Sequence, residues 1–557
     1  MNVMKTSEKS TGWTAYFISA GSFDSRRKRA ASAAILLLWL LIVIFVSARH
    51  EMGRDEVRAL VLAIEAPSYS QLPAAINNEG HPVLWYVLLR LAYSVFPDPV
   101  ILKIVNIALA FIAVLIFFRY SPFLVWQKIL FIFGVFPLFE YPIHCRNYAI
   151  SMVFFFAFAA LYPYRKQKPL WLALILALLA NTNAFACIFA AFLAAFWFLD
   201  ELLMERRSIN LHGVVLLMVG MSIVAAGMVA SIAVALPPRD TALTPVYSAN
   251  LAQVIKTFLI DLVNPGPHFT SAFSRLSNPV RNLLFYSLTI GLLIRPLAAV
   301  TFWLGTAAMC TFFSTVYGSH ARHQGLVVLL MITLYWIVYR QTSLTAFGDL
   351  TKIKLQNIKN AIAANWANAD GFLRRLKGKV LSLHLLAVYL VLTGIFVFHI
   401  ALAAYRVHLD VTRQMSSNKA FAEYLDSHPE YDDAIIIGEP DYGLTSLWYY
   451  TSRRIYLPRE ERFGNINKWG ASNRIALSLG ELLDAAQKIK VSEGKPVLIA
   501  LGHSLSSRQP SLHIKYSYNK LFTASPEEIA AFRSQTAKIA EFFRSTSDEN
   551  YEVYLLR

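Results

Sequence analysis

The run AASAAILLLWLLIVIFVSA at residues 30–48 decides the fold class. It carries no charge and approaches the roughly 20 apolar residues that cross a bilayer as a helix. Arg26-Arg27-Lys28-Arg29 precedes it and no small-residue cleavage site follows, so it reads as a retained signal anchor with the basic cluster on the cytoplasmic side. Comparable runs recur through a chain of 557 residues that is 56% hydrophobic and 13% aromatic, with a mean hydropathy of +0.46. A polytopic α-helical membrane protein is expected. The formal net charge of +17 fits the positive-inside bias of membrane loops, so no nucleic-acid partner is inferred. Cys145, Cys187 and Cys310 lie far apart, without the spacing of a disulfide framework or a thiolate zinc site.

Working outward from that first span, apolar length and basic flanks give eleven crossings. After residues 30–48 these fall at 100–118, 129–139, 151–162, 170–181, 184–199, 214–236, 283–294, 297–316, 325–339 and 380–405. Residues 1–29 are then cytoplasmic, residues 49–99 form the first external loop and residues 30–405 the membrane domain. Every strongly basic loop lands on one side, including Arg165 to Lys168 and the linker 340–379. That linker keeps a helical period through Leu355, Ile358, Ile362, Ala369, Leu373 and Leu376, as an interfacial helix on anionic lipid would. Residues 81–96 are apolar but short and bounded by prolines. Counting them as a crossing would put Arg165 to Lys168 outside, so they are expected to be a second juxtamembrane helix.

Within the first external loop, Val57, Leu60, Val61 and Ile64 share one face of a helix over 55–64, suited to lying on the membrane surface. At its start stand Arg54-Asp55-Glu56. Carboxylates where a span meets water are costly to desolvate, which points to an acid, a base or a ligand; the bland reading is a solvated flank. Arg146 likewise either snorkels to headgroups or binds an anion. Tyr148 and Trp85 read as interface aromatics or as rings that stack on a sugar.

Beyond Tyr405 membrane-length runs stop, and residues 406–557 read as a soluble α/β domain over the Asp55 face. Strands are expected at 434–438, 454–457, 496–501 and 551–556, with helices at 418–426, 477–489 and 526–543. Gly502-His503-Ser504-Leu505-Ser506 approaches a nucleophile elbow, but Ser506 replaces the final glycine and Ser507 to Pro510 start no helix.

Three local patterns, Arg54-Asp55-Glu56, Gly80-His81-Pro82-Val83-Leu84 and Cys145-Arg146-Asn147-Tyr148, resemble in order and sidedness those of the GT-C membrane glycosyltransferases. Relatives of that class include the protein O-mannosyltransferases and the lipid A aminoarabinose transferase. Motif support covers roughly the first 200 residues, and beyond them the likeness is one of layout. Val83 replaces the second proline of the family's His-Pro-Pro start. The loop Tyr317 to His323 resembles an external basic segment more loosely.

The resemblance implies an inverting transfer of a sugar from a polyprenyl-phosphate donor to a lipid, glycan or protein acceptor. Asp55 is then the general base, its pKa raised by partial desolvation, while Glu56 or His81 orients the site. Arg146, Arg322 and His323 hold the phosphate, and Tyr148 joins the substrate-binding set. A divalent metal is implied for some members, and Glu140 is the acidic residue nearest its place. The expected location is a bacterial inner membrane, with the active site periplasmic. The alternative from another class is a lipid or glycolipid transporter, although the most suggestive charges cluster at one face and no clear internal repeat is visible.

Overall fold

The structure, a computed structural model, describes residues 19, 21, 23–204, 211–236, 250–269, 276–341, 391–468, 474–505, 511–516 and 520–557. The amphipathic linker expected within 340–379 and the start of the span expected at 380–405 therefore lie outside the described residues, as do Ser506 to Pro510.

Seven described helices are long and apolar enough to cross a membrane: Arg26–Arg49, Ile101–Tyr120, Ala184–Leu203, Leu211–Ala235, Pro296–Thr315, Ala321–Arg340 and Thr393–Thr412. The first is called α1 below. The other four expected crossings are shorter. Val125–Ile132 runs into a π-helical turn at Phe136–Glu140, and the others form Tyr148–Leu161, Pro169–Ala180 and Asn278–Gly291. At 1.5 Å per residue the 12-residue helix reaches about 18 Å, short of a hydrocarbon core of about 30 Å. Pro137 and Pro163 sit within the breaks and withhold backbone donors.

Ala321–Gln341 is the central helix, with Leu326 to Met331 and Leu334 to Tyr339 buried on all sides. A helix apolar all round belongs in the middle of a bundle. Outward-facing Leu37, Leu41 and Phe45 on α1, and Leu211 and Val229 on Leu211–Ala235, are exposed as lipid-facing residues would be.

Two short helices rest on one end of the bundle. Arg54–Glu65 (α2) follows α1, and Leu84–Val95 (α3) turns Trp85, Tyr86 and Leu89 onto it. The sequence anticipated α2 lying on lipid with an exposed polar face. Instead Glu56 through Ala63 are all buried, because Trp448, Tyr449, Tyr450 and Ile466 of the C-terminal domain cover the face that was expected to be open.

That domain follows the last membrane-length helix, Thr393–Thr412 (α4). Its main sheet has the order β3-β2-β1-β5-β9-β8, made from Arg462–Phe463, Ile455–Leu457, Ile435–Glu439, Val497–Leu501, Tyr551–Leu556 and Thr536–Phe542. β2, β1 and β5 are parallel; β3, β9 and β8 run antiparallel to their neighbours. Ile435 and Ile437 pack on one face under Leu479–Glu493, while Ile436 faces Phe421 and Leu425 of Asn418–Asp426 on the other. Burial on both faces explains the unbroken apolar runs of the central strands. Ala476–Ser478 (β4), Leu512–Lys515 (β6) and Leu521–Ala524 (β7) make a smaller sheet. The helix expected over 526–543 ends at Gln535, and Thr536–Phe542 instead pairs with β9 as edge strand β8.

Candidate functional site

α1 ends at Arg49, and the chain turns through His50 to Gly53 before α2 begins. The Gly53 N–H donates to Glu56 Oε2 at 2.8 Å, closing the first turn, where carboxylates also complement the helix dipole. Being adjacent on a helix, Asp55 and Glu56 project in directions about 100° apart. They consequently serve two separate groups of residues.

Asp55 faces the first group. Its side chain is 51% exposed, and its Oδ2 lies 2.6 Å from Arg146 Nη1 and 3.6 Å from Arg322 Nη2. Arg146 Nη2 in turn is 3.4 Å from His81 Nε2. Residues from both expected external loops and from the start of Ala321–Gln341 thus meet at one carboxylate. Tyr148 lies beneath, stacked on Tyr141 with ring centroids 5.5 Å apart. Around this carboxylate three buried polar atoms lack a protein partner among the described residues: His81 Nδ1, Tyr148 Oη and Arg322 Nε. Buried polar atoms are seldom left so, and unmatched ones grouped beside an exposed carboxylate suit a polar ligand.

Electrostatics correct one expectation. Burial works to raise the Asp55 pKa, but the positive charges of Arg146, then Arg322 and Arg54, outweigh it and hold the carboxyl well below the usual range. Asp55 is therefore an ion-paired carboxylate here, not a base raised by desolvation. Burial, with Arg146 alongside, pushes His81 down to about 3, so its ring is neutral.

Glu56 does not share this surface. Its side chain is buried, its Oε1 accepts from the Cys145 N–H at 2.7 Å, and its Oε2 lies 3.1 Å from His50 Nε2. The other nitrogen of His50, Nδ1, lies 2.8 Å from Asp410 Oδ1 on α4. His144 meets the His50 ring edge-on with centroids 5.2 Å apart, and Glu140 Oε2 lies 3.9 Å from His144 Nε2. Glu56 thus orients loop backbone and His50 rather than a reacting group beside Asp55. Glu140, expected near a metal, stands at the edge of this second cluster. Burial opposes charge on His50, yet Glu56 and Asp410 push it up to about 10.

His323 departs further from expectation. It is buried at the start of its helix, stacked on Phe185 with centroids 4.4 Å apart, and its Nδ1 accepts from the His320 N–H. The rings of Phe185, Phe313 and Tyr317 surround it.

The C-terminal domain holds the N-terminus of α2 directly. The Arg54 N–H donates to Glu549 Oε1 at 2.9 Å, Arg54 Nη1 pairs with Asp548 at 2.7 Å, and the Tyr450 hydroxyl accepts from the Met52 N–H at 2.6 Å. Glu51 Oε2 accepts the N–H groups of Met415 and Ser416. Arg58 forks onto Glu79 and donates to the Asn467 carbonyl. In the same domain Ser504 donates to Glu552 at 2.6 Å and His503 pairs with Tyr516, so these two described residues of the elbow-like sequence turn to other partners.

His50, His144, Asp410 and Glu549 were not singled out from sequence. The four-residue spacing of Glu140 and His144 was the one available signal, since His50 and Asp410 are 360 positions apart. Comparison of the chain with protein-family models, with curated proteins and with solved structures returned no match.

Proposed function

We propose that the protein is a membrane glycosyltransferase that moves a sugar from a polyprenyl-phosphate donor to a hydroxyl acceptor at the Asp55 face. The observation carrying this reading is the half-open Asp55 carboxylate set between two guanidiniums, with a neutral imidazole behind the nearer one. Guanidinium forks match phosphate oxygens as well as they match carboxylates. An arriving donor phosphate competes for Arg146 and Arg322 and so releases Asp55 from the pairing that depresses its pKa.

The released carboxylate then takes the acceptor proton as the acceptor oxygen attacks the anomeric carbon from the face opposite the phosphate. The new carbon–oxygen bond forms as the bond to the phosphate breaks, and its electron pair leaves on the polyprenyl phosphate beside the arginines. Tyr148 and His81 supply unmatched polar atoms for the sugar or the phosphate. This reading puts the chain in a bacterial inner membrane, and the bias of its basic loops favours this face and residues 406–557 on the periplasmic side.

A panel of polyprenyl-phosphate sugars offered to the purified protein with cell-envelope acceptors tests the reading. Product carrying one donor sugar, found by mass spectrometry, is the expected result. Lipid movement across vesicles without transfer from any donor would replace the enzyme by a carrier.

A further inference from the structure

We propose that His50, Glu56 and His144 form a zinc site that joins the two loops of the Asp55 face and is braced by the helix α4. The argument begins with His50. Its Nδ1 lies 2.8 Å from Asp410 Oδ1 and its Nε2 lies 3.1 Å from Glu56 Oε2. With the ring proton on Nδ1, directed at Asp410, the lone pair of Nε2 faces a carboxylate oxygen, and a proton or a metal cation must lie between them.

Geometry favours the metal. A proton joins two atoms, whereas ligand atoms of His50, Glu56 and His144 all lie within 4.8 Å of one another. Two imidazole nitrogens and one carboxylate oxygen are a donor set that zinc takes. Asp410 then acts as the outer carboxylate that fixes the tautomer and orientation of His50, the arrangement metal-bound histidines generally show. Asp410 is itself 4% exposed, and its Oδ2 has no protein partner among the described residues.

The charges agree. Glu56, Asp410 and Glu140 are buried carboxylates within one cluster. Lys103 Nζ, donating to the carbonyls of Ser47 and His50 at 2.7 and 2.9 Å, offsets one of them. With two neutral histidines, a divalent cation balances the remaining pair, and closely packed carboxylates need such a counter-charge. Binding exchanges the metal for any proton held on His50, which leaves to solvent past the partly exposed His144 side chain. Glu56 also binds the Cys145 N–H, so the ion would fix the first loop against the second. None of this depends on the transferase reading, because Asp55 turns to Arg146 instead.

Metal analysis of the full-length protein, purified in detergent without chelators, tests the site. The expected result is about one zinc ion per chain, lost on dialysis against a chelator and restored by saturable uptake of Zn2+. His144→Ala and Glu56→Gln are expected to abolish that uptake, while His503→Ala in the C-terminal domain retains it. Should either variant fail to fold, Co2+ added to the chelated wild-type protein gives a second readout, the visible absorption of a tetrahedral nitrogen–oxygen site. Wild-type protein that takes up no stoichiometric Zn2+ would show that a proton alone bridges His50 and Glu56. Undiminished uptake in folded His144→Ala would equally overturn the assignment.

Discussion

Asp55 Oδ2 and Arg146 Nη1 are 2.6 Å apart, although 91 positions separate the two residues in the chain. That pairing converts two sequence motifs into one site and sets its electrostatics. Arg146→Ala is expected to bring the Asp55 pKa up toward the ordinary carboxylate range while weakening donor capture. In a transfer assay the variant shows a KM for the donor raised about tenfold or more, matching the loss of a charge-assisted bond. Arg146→Lys, which keeps the charge but loses the fork, recovers only part of the loss.

Glu549 holds α2 from the opposite domain, and its carboxylate also accepts from Asn418 Nδ2 at 3.1 Å and Ser446 Oγ at 2.9 Å. Glu549→Ala strands these buried donors together with the Arg54 N–H. A stability loss of about 2–4 kcal/mol is expected. It is read as a lowered midpoint of thermal unfolding in detergent, and an unchanged midpoint would separate the C-terminal domain from the support of the site.

Gly325 lies on the central helix where an added Cβ would meet the Tyr141 hydroxyl and the Phe136 ring. Tyr141 also donates to the Arg322 carbonyl at 3.1 Å and stacks on Tyr148. Gly325→Ala should therefore cost about 1–3 kcal/mol by overpacking and shift Tyr148 and Arg322 together. Loss of transfer activity exceeding the loss of folded protein is the expected signature.

Acid should weaken the C-terminal sheet through Glu552. Burial works to raise its pKa, but hydrogen bonds from Lys538, Ser504, Tyr554 and the Leu505 N–H carry it from the ordinary 4.5 down to about 2. A depressed carboxyl stabilises the fold above its unfolded pKa, and that stability is lost as pH falls from about 4.5 through about 2. Glu552→Gln should flatten the acid limb of the stability–pH curve over that window, measured by tryptophan fluorescence of the full-length protein.

Legibility from sequence tracked the range of the interaction that decides each feature. The seven long helices and the central strands Ile435–Glu439 and Val497–Leu501 follow from local apolar patterns. Asp55, His81 and Arg146 were legible as short motifs near the ends of apolar segments, and they meet. Glu56 was legible as a site candidate beside Asp55 but not in its burial or its partner, because His50 and Asp410 come together only when α1 and α4 pack side by side. The open face expected for α2 failed for the same reason: its covering, Trp448 to Tyr450 and Ile466, lies about 400 residues downstream. At Thr536–Phe542 a helical apolar period was overridden by pairing with Tyr551–Leu556, a tertiary choice.

Asp55→Asn tests the central claim most directly, because it keeps the side chain's shape and removes its ability to accept the acceptor proton. Donor binding and single-turnover sugar transfer are measured side by side in reconstituted vesicles. The account predicts donor binding at least as tight as wild type, since the carboxylate no longer competes for Arg146 and Arg322, and transfer slowed by about 10²–10⁴, the usual contribution of a general base. Transfer by the variant at the wild-type rate would contradict it.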